Sequence, residues 1–375
     1  MSTPASGRGS TGPAAPGLTE RVRGGLLGAA VGDALGGPVE GLDHDEIARR
    51  HGWVDDLMAY AKDPSEHAHF TTHAGSYTDD TRLHLIVCDA IVGAGGDVTR
   101  GDLARALLEY ERTHDGPLER SFIEEYARKG LYGSRTLIFG GHPTNGALMA
   151  NAAVGLVHPA DPDGAFRCAF ELAYLTDGYA KESAAIGAAA VAAAMHPDAT
   201  PRRIVDTALG AADGFRRDGP LWRETVRTRA WARFEGRPNH ELVEAAVTIA
   251  ERERDVRALP AILYPMLQVG PLFSEAGQTL AVALAMLVAA DGDYREAVLG
   301  AVNYGRDNDS YACVTGAIAG ALGGERGVPE RWRVDVCAAN PEPDLERVAD
   351  DLAAVARARH QRAAAVVDAV RRMEA

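Results

Sequence analysis

Residues 274–324 read SEAGQTLAVALAMLVAADGDYREAVLGAVNYGRDNDSYACVTGAIAGALGG. The apolar run Leu280–Ala290 is too short to cross a bilayer, so it reads as a buried core helix. After an Asp/Gly turn the chain reaches Asp307-Asn308-Asp309-Ser310, a short polar turn leading into a second apolar, helix-like stretch. There Gly316, Gly320 and Gly324 recur every four residues and so share one helix face. Helical spacing recurs in Leu103–Tyr110, Glu241–Ala250 and Glu346–Met373, and Ala184–Met195 is another short apolar run. Period-two alternation is nearly absent. The pattern predicts an all-α protein of many medium-length helices joined by Gly/Pro/Asp turns.

The same glycine spacing appears near the other end, at Gly24, Gly28, Gly32 and Gly36. A glycine inside a helix costs about 0.5–1 kcal/mol relative to alanine, so a stripe of them needs a return, and close approach of a second helix is the natural one. Asp33 within this stretch argues for close packing in water, not in lipid. Both stripes are expected in the core that supports a functional site.

The 375 residues carry a formal charge of -14, a field that repels nucleic acid in general. It does not exclude a nucleotide, because bound metals invert the local sign. Residues 1–17, rich in Ser, Pro, Gly and Ala, are expected to be a disordered tail without the apolar run of a signal peptide. No stretch within 18–345 is rich enough in Pro, Gly or Ser to mark a linker, so 18–375 is expected to form one domain. Cys88, Cys168, Cys313 and Cys337 follow no CxxC or Cys/His pattern, which argues against a zinc site and fits reduced thiols in the cytoplasm, and no apolar run is long enough to place the chain in a membrane.

Two acidic clusters carry the chemistry: Thr78-Asp79-Asp80-Thr81 and Asp307-Asn308-Asp309-Ser310. Each pairs two carboxylates with a hydroxyl, the donors that hard divalent cations prefer. Taken singly, each is a plausible helix N-cap. Two adjacent acids nevertheless repel each other where one would serve, and a cation relieves that repulsion. Brought together, the clusters would make a two-metal centre. Glu40, in a loop after Pro38, reads either as a solvated glutamate or as a general acid/base beside the metals. The histidines His67, His69, His73 and His84 lack cysteine or glutamate partners at zinc spacing and read as a polar loop. No GxSxG elbow, P-loop or strand-GxGxxG-helix unit occurs.

Taken together, GAAVGDALGGPVEG (28–41), SYTDDTRL (76–83), TNGALMANAAVGL (144–156) and the 274–324 stretch resemble the ADP-ribosylglycohydrolase family over roughly residues 20–325. The resemblance implies a compact single-domain, multi-helix fold with two Mg²⁺ or Mn²⁺ ions at the bottom of an acidic cleft. By matching position, Thr78, Asp79, Asp80, Asp307, Asp309 and Ser310 would be metal ligands and Glu40 the catalytic glutamate. Thr144, Asn145 and Gly146 match a loop that holds the distal ribose and phosphates. Asp177, in Leu175-Thr176-Asp177-Gly178-Tyr179, replaces a histidine that often lines the adenosine diphosphate side. Arg82 and His84 follow TDDT where the family often has Glu or a small residue, and Ala150 stands where it often has arginine. The metal half therefore matches while the substrate half departs. The implied function is hydrolysis of the ribosyl C1 bond of an ADP-ribosylated protein side chain or small acceptor. The alternatives are an N-ribosyl hydrolase of a nucleoside, nucleotide or other ribosylated metabolite, and a catalytically silent ADP-ribose-binding protein.

Overall fold

The computed structural model describes residues 15–60, 73–114, 120–132, 143–176, 178–218, 238–267 and 272–374. Among them the helices run in order: α1 (Leu18–Gly36), α2 (His44–His51), α3 (Asp79–Gly93), α4 (Arg100–Thr113), α5 (Arg120–Tyr132), α6 (Gly146–Ala150), α7 (Ala152–Leu156), α8 (Pro162–Leu172), α9 (Ala180–Ala194), α10 (Pro201–Asp218), α11 (Pro238–Glu253), α12 (Leu259–Leu263), α13 (Ala276–Ala289), α14 (Tyr294–Val302), α15 (Asn308–Gly323), α16 (Glu330–Ala339) and α17 (Leu345–Glu374). No strand occurs among the described residues; the two isolated antiparallel bridges are Asp43–Gly305 and Thr144–Glu275. The chain is all-α, as its periodicity requires.

Local sequence sets many of the helix starts. Asp43, Thr78, Thr99, Asp161 and Asp293 each accept a backbone N–H of the first turn, opening α2, α3, α4, α8 and α14. The two short apolar runs become α9 and α13, buried on every face. No described helix is long and apolar enough to cross a membrane.

The glycine stripes meet. Helices α1 and α15 run antiparallel, pairing Gly24 with Gly320, Gly28 with Gly316 and Gly32 with Ala312. A Cβ added at Gly24 would lie 2.2 Å from the Gly320 carbonyl oxygen, and one at Gly316 would lie 2.1 Å from that of Gly28. Only hydrogen at these positions permits the contact. Buried Arg21 locks the same end by donating to the carbonyls of Ala194, Ala321 and Leu322 at 2.9–3.0 Å, satisfying orphan acceptors at the ends of α9 and α15. The far end of α1 breaks off into a 3₁₀ turn, Gly37–Val39, that contains Pro38 and delivers Glu40.

The histidine group differs from the polar loop expected of it. His84 lies inside α3, fully buried, with Nδ1 donating to the Met149 carbonyl at 3.3 Å, and burial lowers its pKa to about 4. Its apolar neighbours Leu83, Leu85, Ile86 and Val87 carry the helix into the core and take His84 with them. His73 is exposed; His67 and His69 lie outside the described residues. So do residues 1–14 of the expected tail, and the Trp222–Arg233 stretch, whose charge run reads from sequence as a surface helix.

Candidate functional site

Backbone ties bring Glu40 to the second acidic cluster. The Gly41 N–H donates to the Arg306 carbonyl and the Arg306 N–H to that of Leu42, both at 2.7 Å. Gly305 makes this possible: its φ is +96°, and a Cβ there would lie 2.7 Å from the His44 nitrogen. As a result one carboxylate oxygen each from Glu40, Asp307 and Asp309 lie within 4.8 Å of one another.

The first cluster opens α3. Thr78 is the N-cap, its hydroxyl accepting the Asp80 N–H at 3.3 Å, so the helix-cap reading of TDDT holds for that residue. The cap leaves Asp79 and Asp80 on the first turn, where both face the cleft. Asp33 of α1 accepts the backbone N–H groups of Thr78 (3.0 Å) and Thr81 (2.9 Å). Oδ1 of Asp80 is buried and accepts no hydrogen bond.

A third loop closes the site. Asn145 N–H donates to the Ser274 carbonyl (2.9 Å) and Ala276 N–H to that of Pro143 (3.1 Å), flanking the Thr144–Glu275 bridge. The Asn145 side-chain amide donates to Asp307 Oδ2 at 2.6 Å and to Thr279 Oγ1 at 3.0 Å, so this side chain supports an acid of the cluster. Glu275 caps α13, accepting from Gly277 N–H, Gln278 N–H and the Tyr179 hydroxyl, while Thr176 Oγ1 donates to the Thr144 carbonyl at 2.6 Å. The departing Leu175–Tyr179 stretch is thus wired into this loop; Asp177 itself lies outside the described residues.

These elements enclose a cleft of about 280 Å³ lined by Glu40, Asp79, Asp80, Asp307, Asp309 and Ser310 together with Tyr126, Thr144, Asn145, Gly146, Met149, Phe273 and Ser274. Thr78 stands just behind it as the cap. Arg82 lines a different cavity and stacks 5.2 Å from the Tyr77 ring, so the arginine following TDDT does not enter the cleft. Asn151, after the missing arginine, is buried and donates to the Ala169 carbonyl.

Among the described residues no lysine or arginine lines the cleft to offset its acids. Burial, then the Asp33, Glu40 and Asp307 charges, pushes Asp79 up to about 7. Burial raises Asp307 to about 6 against the pull of the Asn145 hydrogen bond. Asp80 and Asp309 are driven well above the usual carboxylate range by burial and by their acidic neighbours. Crowded anions, a hydroxyl and an orphaned buried oxygen form the donor set of a hard divalent cation, and the residues present fit one.

A stability consequence follows for the metal-free protein. Folded Asp79 keeps its proton up to about pH 7, whereas the unfolded chain loses it near the ordinary 3.8. Folding therefore takes up a proton between those values, and this contribution to stability is lost as pH rises through that window. With chelator present, Asp79→Asn should gain melting temperature relative to wild type between about pH 5 and about pH 8. A difference that stays flat across that range would show that Asp79 is not so strained.

Asp33, Asn145 as an anchor for Asp307, and Glu275 were not singled out as site residues by sequence. Only Asp33 left a trace, as the lone charge in the glycine-and-apolar stretch 24–36.

A family model described as ADP-ribosylglycohydrolase matches residues 14–362. An uncharacterised protein of Archaeoglobus fulgidus is 30% identical over 323 residues, covering 84% of this chain and 91% of that one. The ADP-ribosylarginine hydrolase Tri1 of Serratia proteamaculans is 25% identical, covering 84% and 74%. A solved structure titled ADP-ribosylglycohydrolase-related protein complex superposes with a TM-score of 0.61 at 24% identity, covering 90% of this chain and 99% of that one, which establishes the shared fold. The acidic cleft is therefore built on a known all-α scaffold, and the chain belongs to the ADP-ribosylglycohydrolase family.

Proposed function

We propose that this protein hydrolyses the ribosyl C1 bond of an ADP-ribosylated side chain or small acceptor, using two Mg²⁺ or Mn²⁺ ions. The observation that carries the reading is the convergence of Glu40 with both acidic clusters on one cleft whose described lining holds no lysine or arginine. Thr78, Asp79, Asp80, Asp307, Asp309 and Ser310 would hold the ions. When bound, the ions supply positive charge that fixes the vicinal ribose hydroxyls and eases deprotonation of a water.

The chain's own groups do the rest. Cleavage at C1 passes through an oxocarbenium-like state, which the surrounding carboxylates stabilise. Glu40 stands in a loop pinned to the Arg306 backbone and moves a proton at the leaving group or the attacking water. Tyr126 and Phe273 are the aromatic residues of the described lining and would take a base, while Thr144–Gly146 would hold the distal ribose and phosphates. The four cysteines are unpaired, which suits a reducing cytoplasm.

A ribosylated metabolite without a diphosphate is the second reading, favoured by the lack of Lys and Arg among the described residues of the cleft lining. The deciding experiment is calorimetric titration of ADP-ribose with Mg²⁺, repeated after chelation, followed by turnover of ADP-ribosylated arginine, the linkage named for the Serratia relative. Chelator-sensitive binding and turnover support the first reading. Absence of ADP-ribose binding in a protein that still binds the metal overturns it in favour of the second.

A further inference from the structure

Asp33 is fully buried in the last turn of α1, and every polar contact described for its carboxylate goes to the first turn of α3. The Thr78 N–H lies 3.0 and 3.1 Å from its two oxygens. The Thr81 N–H and hydroxyl lie 2.9 and 2.5 Å from Oδ2. Thr78 and Thr81 bracket Asp79 and Asp80, so one carboxylate fixes both the position and the rotation of the turn that presents them.

The same helix meets the other half of the site three residues later. A Cβ at Gly36 would lie 2.5 Å from the Asp309 Cα and nitrogen, so the α1 backbone is in direct contact with the start of α15. Asp33 and Gly36 are separated by about 4.5 Å along the helix axis. Helix α1 is thus a common mount for the two acidic clusters, gripping one by a carboxylate and the other by a close backbone contact.

We propose that Asp33 is a positioning residue for divalent-metal binding, holding Asp79 and Asp80 at the spacing from Asp309 that the ions require. The inference rests on the two-metal reading given above. The choice of aspartate follows from the partners, which are all donors. Asparagine would turn an NH₂ group toward an N–H or O–H and force the turn to move. Small octahedral cations tolerate little ligand displacement, so a shifted turn is read out as lost affinity.

The test is Mn²⁺ binding, followed by the spin-resonance signal of the free ion, in wild type, Asp33→Asn, Thr81→Val and Asp309→Asn, with circular dichroism verifying the fold. Asp33→Asn should weaken Mn²⁺ by about tenfold or more while the helical spectrum is retained. Thr81→Val, which removes only the hydroxyl contact, should weaken it by a smaller factor. A merely structural role would lower the melting temperature and leave Mn²⁺ affinity unchanged. Wild-type affinity in folded Asp33→Asn overturns the proposal. If that variant does not fold, wild-type affinity in Thr81→Val overturns it instead. Loss of Mn²⁺ in Asp309→Asn but not in the other two leaves the metal reading standing and removes only the positioning role. Absence of Mn²⁺ binding in folded wild type removes both.

Discussion

Asp309→Asn is expected to lower turnover by about 10³-fold or more at saturating Mg²⁺, while leaving a folded protein. Asp309 is 2% exposed, and burial first, then the carboxylates of Glu40, Asp80, Asp307 and Asp33, push its pKa upward. Asparagine keeps the shape and removes one charge from that group. The metal-free variant should therefore melt no lower than metal-free wild type, because like-charge repulsion falls. The loaded variant should lose the stabilisation that Mg²⁺ gives wild type, since a ligand that binds only the folded state raises stability in proportion to its occupancy. Activity and thermal shift together separate a lost ligand from a damaged fold. Full activity in Asp309→Asn would sink the metal assignment outright.

What the sequence disclosed and what it hid divide along the range of the contacts. The helical class was legible because apolar spacing is local, and α9 and α13 emerge where the apolar runs lie. The glycine stripes at 24–36 and 316–324 were legible because a repeated cost demands a packing reason, and they do pack on each other. The clusters at 78–81 and 307–310 were legible as donor sets. The wiring behind them was not. Asp33 to Thr78, Asn145 to Asp307 and Tyr179 to Glu275 are contacts between residues far apart in the chain, each between side-chain types that are unremarkable alone. His84 was misread for a related reason: a polar residue in the second turn of α3 looks like loop, and only the packing of α3 against Met149 makes it core. The altered substrate half shows the same limit. Arg82 follows the acidic cluster in sequence, yet the helix turns it into a different cavity.

Gly320→Ala should be among the most damaging single-methyl changes available, costing on the order of 4 kcal/mol or more, beyond ordinary core overpacking. The new Cβ would lie 2.0 Å from the Gly24 carbonyl oxygen and 2.7 Å from its carbon. Both atoms are backbone, so no rotamer relieves the clash, and α1 must lift away from α15. Lifting it disturbs the Gly28–Gly316 and Gly32–Ala312 contacts and the Gly36–Asp309 contact beside the cleft. Metal affinity should therefore fall along with stability in whatever fraction folds. Gly210→Ala is the matched control: it lies exposed in α10 with nothing within 4 Å of an added Cβ, and should gain about 0.5–1 kcal/mol from helix propensity. Urea denaturation of the pair measures both signs in one experiment. If both substitutions shift the midpoint upward, α1 and α15 do not touch as described, and the shared mount for the two acidic clusters fails with them. If Gly320→Ala collapses while Gly210→Ala gains, the glycine stripe is the structural condition on which the site's spacing depends.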